Sequence, residues 1–207
     1  MKISDSLICG PMVRVSSLPF RLLALEYGAD IVFSEELIDF RLSNCVRVEN
    51  DFLGTVDFMI PGEERPLFQT HSIEKGKVIV QIGTADAQRA LTAAKIVEND
   101  VAGIDINMGC PKKFSVHGGM GAALLHEPDK IKEILETLAK NLKIPVTCKI
   151  RCLPSLEDTL KLVRIIENTG AHALIVHGRT KDERNPNKNR DEYIKEISQT
   201  CKIPVIA

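Results

Sequence analysis

The chain has 207 residues, of which 44% are hydrophobic and 27% are charged. This composition is that of an ordinary globular domain, and the length suits one large domain better than two small ones. The formal net charge of -1 excludes a global basic field for binding nucleic acid, although it leaves room for a local basic patch.

The six cysteines are scattered and form no CxxC pair. Cys148 and Cys152 lack a second pair of ligands at metal spacing, so we expect neither a zinc site nor any other metal site. The sequence shows no signal peptide and no long apolar run. It therefore predicts reduced thiols in a soluble, cytoplasmic protein that does not enter a membrane.

Strand and helix patterns alternate from the start of the chain. The first predicted elements are a strand over residues 6–11, a helix over 18–27 closed by Gly28, and a strand over 30–36. A less regular stretch follows over 40–77. Within it, the runs 56–60 and 67–70 flank Pro61 and Gly62 and predict a β-hairpin inserted in a helical position.

Regular alternation then resumes. The remaining predicted strands cover residues 78–82, 102–106, 145–150, 173–176 and 203–207. The helices between them are expected around 90–97, over 128–142, from Ser155 to Gly170, and over 191–200. Seven strand signals therefore alternate with six helical positions.

Repeated βα units with short apolar strands predict a parallel sheet covered by helices. Two architectures fit, a doubly wound sheet and an eightfold barrel. The phosphate-binding fingerprints of the first are missing, because residues 118–121 lack GxGxxG spacing and GxxxxGK[ST] occurs nowhere. We therefore predict an α/β fold, a TIM (β/α)8 barrel that stops within strand seven.

A cysteine-bearing loop follows the fourth strand. The apolar run 102–106 ends abruptly in Asn107, Gly109, Cys110 and Pro111, which is typical of a buried strand entering a tight loop. In a parallel barrel this places Cys110 just beyond the carboxyl end of a strand, where such folds carry their chemistry. Taken alone, the same pattern also suits a free structural thiol.

Functional side chains recur at the carboxyl ends of six predicted strands. In chain order these are Met12 and Arg14, Glu35 and Glu36, Gln81, Asn107 and Cys110, Lys149 and Arg151, and His177 and Arg179. Any single one could reach solvent, cap a loop or begin a helix. In a parallel barrel, however, all of these positions converge on one face.

The chemistry of this set suits an anionic, electron-rich heterocycle. A lysine supplies charge to a developing anion, while Gln and His supply hydrogen bonds. Paired carboxylates at glycosidase-like positions are missing, and no histidine next to the cysteine provides the base for thiol-protease chemistry. Because thiols ordinarily ionise at about pH 8.5, a cysteine is a proton donor at neutral pH. The set suggests hydride addition at one carbon and protonation at its neighbour.

These residues resemble the tRNA-dihydrouridine synthases, and within that family the eukaryotic members that act on the D-loop uridine at position 20. The matching segments are 10–14, 27–30, 35–37, 80–83, 107–111, 149–151 and 176–179. They span nearly the whole chain, and the Asn-x-Gly-Cys-Pro loop is the most specific of them.

The resemblance implies an FMN-dependent enzyme that uses NADPH to reduce uridine in tRNA to 5,6-dihydrouridine. Hydride would pass from reduced flavin to C6 of a flipped-out uracil, and Cys110 would protonate C5. The residues implied for FMN are Met12, Val13 and Arg14 beneath the ring system, and Gln81, Lys149 and His177 at its edge. Those implied near the substrate are Glu36, Asn107 and Arg151. Lys112, Lys113 and a mobile loop over 115–119 are expected to contact RNA, although a plain flexible connection also fits that loop.

The family pattern continues where this sequence stops. From the resemblance we expect residues 1–207 to form an incomplete catalytic barrel, without an eighth strand, the loops that hold the FMN phosphate, and the C-terminal helical and RNA-binding domains of the family. We accordingly expect weak FMN binding and marginal stability of this chain alone. Two alternatives stay open: a catalytically inactive product with an interaction role, and a dihydroorotate-dehydrogenase-like flavin barrel.

Overall fold

The computed structural model describes residues 3–184 and 186–207. Its strands are β1 Ile8–Cys9, β2 Ile31–Ile38, β3 Val46–Asn50, β4 Thr55–Met59, β5 Phe68–His71, β6 Val78–Gly83, β7 Gly103–Met108, β8 Val146–Arg151, β9 Ala173–His177 and β10 Val205–Ile206. Its α-helices are α1 Leu18–Glu26, α2 Asp39–Ser43, α3 Ala87–Val97, α4 Lys113–His117, α5 Pro128–Asn141, α6 Leu156–Ile166 and α7 Asp191–Thr200. Short 3-10 helices cover Ser72–Glu74 and Gly121–His126.

The larger sheet has the strand order β1-β2-β6-β7-β8-β9-β10. The ladders β1–β2, β8–β9 and β9–β10 are parallel. Each strand follows its predecessor in the sheet without a reversal of order. That is the winding of a (β/α)8 barrel, whereas a doubly wound sheet reverses its order at a switch point. The predicted α/β barrel fold is confirmed.

The chain divides into two compact units. The first comprises residues 3–82, 89–105 and 142–145, and the second comprises 83–88, 106–141 and 146–207. The first unit therefore contains β1, β2, α1, the antiparallel sheet β3-β4-β5, most of β6 and the start of β7. The second contains the end of β7, α4 to α7, and β8 to β10.

In the first unit, the predicted hairpin is confirmed as β4 and β5, and β3 adds a third antiparallel strand that the sequence reading missed. The rings of Phe58 and Phe68 stack across the hairpin with centroids 5.6 Å apart. Most of β3 is exposed, so its sequence lacks the apolar run that marks a buried strand.

A buried ion pair links helix α1 to the chain 53 residues later. Nε and Nη2 of Arg21 donate to the two carboxylate oxygens of Glu74 at 2.8 and 2.7 Å. Nη1 donates to the Ser16 carbonyl at 2.8 Å, Nη2 donates also to the Gln69 carbonyl at 2.7 Å, and the guanidinium lies over the ring of Phe68. Both charges are almost completely buried, so each depends on its partner for compensation.

The second unit buries the apolar faces of its helices. In α5 the buried residues are Ile131, Ile134, Leu135 and Leu138, which follow the 3.6-residue period. Helix α6 begins at the predicted cap, where Ser155 Oγ accepts a hydrogen bond from the Asp158 amide at 3.0 Å. Within the described ranges, no helix is both long and apolar enough to cross a membrane.

The expected loop over 115–119 is wrong for residues 115–117, which are helical. Residues 113–117 form helix α4, and Ser115 is buried. The pair Gly118-Gly119 reads as a loop signal in the sequence, but it serves to end this helix: the amides of Gly118 and Gly119 bond to the carbonyls of Phe114 and Val116.

We predict that Glu74→Gln lowers the free energy of unfolding by about 3–5 kcal/mol, because it leaves the Arg21 cation buried without a counter-charge. Urea denaturation measures the loss. The matched control is Glu63→Gln, which breaks the exposed pair with Arg41 and should cost less than about 1 kcal/mol. Equal losses of unfolding free energy in the two variants would show that the buried pair contributes no more to stability than the exposed one.

Candidate functional site

In the first unit, the loop after β1 is held by its backbone while its apolar side chains remain exposed. The Met12 amide donates to Ser16 Oγ at 3.0 Å, and the Ser16 amide returns a bond to the Met12 carbonyl at 2.9 Å. Met12 is 39% exposed and Val13 57%. Arg14 has a φ of 65°, which costs a non-glycine residue about 1–2 kcal/mol.

Glu35 stabilises that strained residue, since its Oε2 accepts the Arg14 amide at 2.9 Å. The sequence reading put Glu35 and Glu36 after the second strand. The structure places them inside β2, which continues to Ile38. Successive strand residues point to opposite faces, so Glu35 and Glu36 have different surroundings. Glu35 supports the loop, and Glu36 is half-buried.

Gln81 in β6 is buried and oriented by a residue that the sequence reading missed. Its side-chain Nε2 donates to Asp105 Oδ2 at 2.7 Å, and its backbone N–H donates to Ser34 Oγ at 3.0 Å. Asp105 in β7 has no exposed surface. An acidic residue between Ile104 and Ile106 was the available signal, because a carboxylate within a buried strand needs a partner.

In the second unit, several hydrogen bonds hold the loop that carries Cys110. Asn107 Oδ1 accepts the amides of Gly109 and Cys110 at 3.0 and 2.9 Å. Arg151 Nε donates to the Gly109 carbonyl at 2.8 Å, and the Ala122 amide donates to the Cys110 carbonyl at 2.9 Å. The loop backbone is therefore fixed from three directions.

The Cys110 thiol itself is half-buried, and its Sγ accepts a hydrogen bond from Ser115 Oγ at 3.4 Å. Ser115 lies in the short helix α4, whose existence the sequence reading missed. A hydroxyl donor at the sulfur orients the thiol, and the same donor would stabilise the thiolate that remains after a proton is given away.

Arg151 joins the cysteine loop to the loop after β9. Its Nη1 donates to the Thr180 carbonyl at 3.0 Å. Burial lowers the pKa of Arg151, and the nearby Arg184 and Arg179 lower it further. Glu183 forms an ion pair with Arg190 and accepts the Thr180 amide at 2.7 Å, and these contacts lower the pKa of Glu183 to about 2.

His177, at the end of β9, is neutral at physiological pH. Burial lowers its pKa to about 4, with smaller contributions from Arg151, Lys149 and Arg179. Its Nε2 lies 3.2 Å from Nη1 of Arg179, and because a guanidinium can only donate, Nε2 is the acceptor. The imidazole is thus a neutral hydrogen-bonding group within a positive field that suits an anionic ligand.

The structure brings the predicted residues together in three groups, two in the first unit and one in the second. In the first unit these are the Met12–Arg14 loop with Glu35, and separately Gln81 with Asp105. In the second unit they are Asn107, Cys110 and Arg151, together with His177 in the field of Lys149. In the part of the chain that the structure describes, no group of three His, Cys, Asp or Glu side chains is arranged to bind a metal ion.

Comparison with known proteins adds a family match. The family model described as dihydrouridine synthase (Dus) matches residues 7–207. A Schizosaccharomyces pombe protein named tRNA-dihydrouridine(20) synthase (NAD(P)+) is 45% identical over 96% of this chain and 43% of its own length. The Saccharomyces cerevisiae protein of that name is 47% identical over 96% of this chain and 54% of its own length. The chain thus spans about half the length of these relatives.

We predict that Gly121→Ala distorts the Cys110 loop. Gly121 has a φ of +59°, and an added Cβ would lie 2.5 Å from the Cys110 carbonyl oxygen. The control is Gly76→Ala, which has a φ of +81° and no atom near the new Cβ, so it should cost only about 1–2 kcal/mol of strain. Gly121→Ala should lower the free energy of unfolding by more than Gly76→Ala does, and it should also change the alkylation rate of Cys110. An unchanged alkylation rate would contradict the prediction.

We predict that the His177 imidazole titrates near pH 4 in an NMR titration, with His177→Gln identifying its resonance. The folded-state pKa of about 4 lies below the ordinary 6.5, so protonation favours the unfolded chain. The contribution of His177 to stability should be complete above about pH 6.5 and should be lost as the pH falls toward 4. A midpoint at the ordinary value would show that neither burial nor the neighbouring cations lower the pKa of His177.

Proposed function

Because the chain belongs to the dihydrouridine synthase family, we propose that it reduces uridine in tRNA to 5,6-dihydrouridine. The observation that carries the proposal is the Cys110 thiol, presented on a backbone-locked loop directly after β7 and hydrogen-bonded to Ser115. The names of the two yeast relatives support a substrate uridine at position 20 of the tRNA.

The residues fit the cofactor FMN by their chemistry. Exposed apolar side chains of Met12 and Val13 offer contacts to a flat ring system. Arg151, Lys149 and Arg179, which add to the effect of burial in lowering the pKa of His177, provide a positive field that suits an anionic flavin and its phosphate. The residues that would hold the cofactor are Met12, Val13, Arg14, Gln81, Lys149 and His177. When bound, FMN would supply the hydride for C6 of the uracil, and NADPH would be the reductant, consistent with the NAD(P)+ in the relatives' names.

Cys110 would complete the reduction by giving its proton to C5 of the uracil, as the C5–C6 double bond takes up the hydride at C6. The resulting thiolate would be stabilised by the Ser115 hydroxyl and by Arg151, whose charge interacts with Cys110. Solvent would then reprotonate the thiolate. No metal ion enters this scheme.

Glu36, Asn107 and Arg151 would lie near the substrate base. The side chains of Asn107 and Arg151 form hydrogen bonds to the backbone of the cysteine loop. These bonds support a positioning role for both residues. The neutral imidazole of His177 would form hydrogen bonds without adding charge. The family match over residues 7–207 supports the tRNA-modifying enzyme over a dihydroorotate-dehydrogenase-like barrel.

We predict that Cys110→Ala slows uridine reduction by roughly 10²–10⁴-fold, the usual contribution of a positioned general acid, and leaves tRNA binding unchanged. Dihydrouridine formed from an unmodified tRNA transcript, with FMN and NADPH present, measures the rate. Cys201→Ala removes another half-buried thiol and should retain the full rate.

Equal rates for Cys110→Ala and the unsubstituted chain would remove Cys110 from the mechanism. Failure of the unsubstituted chain to form any dihydrouridine would instead favour the inactive product with an interaction role.

A further inference from the structure

Next to the cysteine loop, the second unit contains a cleft of about 280 Å³ that begins at Pro111. The other residues that line it are Lys113, Val116, His117, Lys181, Asp182 and Arg184. We propose that this basic cleft binds a phosphodiester of the tRNA backbone close to the target uridine. The inference rests on the proposed function, because it names where the same substrate is held.

The charge in the basic cleft is unbalanced. It contains three permanent cations, Lys113, Lys181 and Arg184, and one carboxylate, Asp182. Among residues 3–184 and 186–207, none of these three cations forms an ion pair with a carboxylate. In a chain whose net charge is -1, such a local excess of uncompensated cations indicates an anionic ligand.

Two of the three cations in the basic cleft, Arg184 and Lys181, are held by hydrogen bonds. Nη1 of Arg184 donates to the carbonyls of Lys181 and Glu183 at 2.7 and 2.8 Å, and its amide donates to Asn187 Oδ1 at 2.9 Å. Nζ of Lys181 lies 3.2 Å from His126 Nε2. A positioned cation binds phosphate with less loss of side-chain entropy than a freely moving one.

The basic cleft is also connected to the thiol. Lys113 opens helix α4, which contains the Ser115 that hydrogen-bonds Cys110, and residues 181–184 follow the Thr180 carbonyl that Arg151 binds. A phosphate bound in this cleft would therefore be held at a fixed position relative to Cys110. An enzyme that extrudes a base needs such a fixed backbone contact, because phosphate contacts determine register on the nucleic acid.

An exposed aromatic ring favours RNA over an acidic protein as the ligand. Phe114 is 58% exposed and lies directly after Lys113 on α4. Aromatic rings beside cations are the usual platforms for unpaired bases.

The test is binding of an unmodified tRNA transcript to the double variant Lys113→Gln/Lys181→Gln over a series of salt concentrations. We expect the Kd to rise roughly 3- to 10-fold, and the slope of log K against log salt to decrease by roughly 1–2, as expected for two lost phosphate contacts. The control Lys132→Gln/Lys140→Gln removes the same charge from the exposed surface of α5 and should bind like the unsubstituted chain.

If the unsubstituted chain binds and reduces tRNA, but the cleft variant binds as tightly as the control, the basic cleft is not a phosphate site. If the unsubstituted chain neither binds nor reduces tRNA, the proposed function fails and the inference fails with it. An equal loss of affinity in both double variants would show that only the total charge matters, and would also overturn the inference.

Discussion

The hydrogen bond from Arg151 to the Gly109 carbonyl is the constraint on which the candidate site of the second unit depends. The same guanidinium binds the Thr180 carbonyl, so one side chain of β8 fixes the loops after β7 and β9. A half-buried guanidinium loses hydration, and the carbonyl oxygens offset part of that loss. Because the cation is bonded to neutral carbonyls, its charge adds to the effect of burial, which is the main reason that His177 stays neutral.

Several residues that the sequence indicates as part of a binding site use their side-chain polar atoms for hydrogen bonds to the backbone of neighbouring loops. Asn107 closes the turn before Cys110, Arg151 binds two carbonyls, and Glu35 accepts the amide of the strained Arg14. Such bonds fix a loop before any ligand arrives, so little ordering remains to be done on binding. Much of the polarity at these strand ends therefore serves to position Cys110 and the loop after β1.

The sequence predicted those features that short-range patterns determine. The apolar strands, the Ser155 cap and helix α7 follow from periodicity and capping, and the winding follows from βα alternation. The missed features depend on contacts distant in sequence. The pair Arg21–Glu74 spans 53 residues, and the need for glycine at 121 arises from the Cys110 carbonyl. Strand β3 was missed because it is exposed, and α4 because Gly118 suggested a loop.

The Arg151 guanidinium fixes the two loops by its planar set of donors, and not merely by its charge. Hydrogen exchange of the amides over 107–112 and 180–184 in Arg151→Lys tests this most directly, with helix α5 as the internal reference. Lysine keeps the charge but cannot bond both carbonyls from one planar group. Exchange in both segments should accelerate by roughly 10-fold, which corresponds to about one lost hydrogen bond. Unchanged exchange in both segments would show that the Arg151 guanidinium does not fix the two loops.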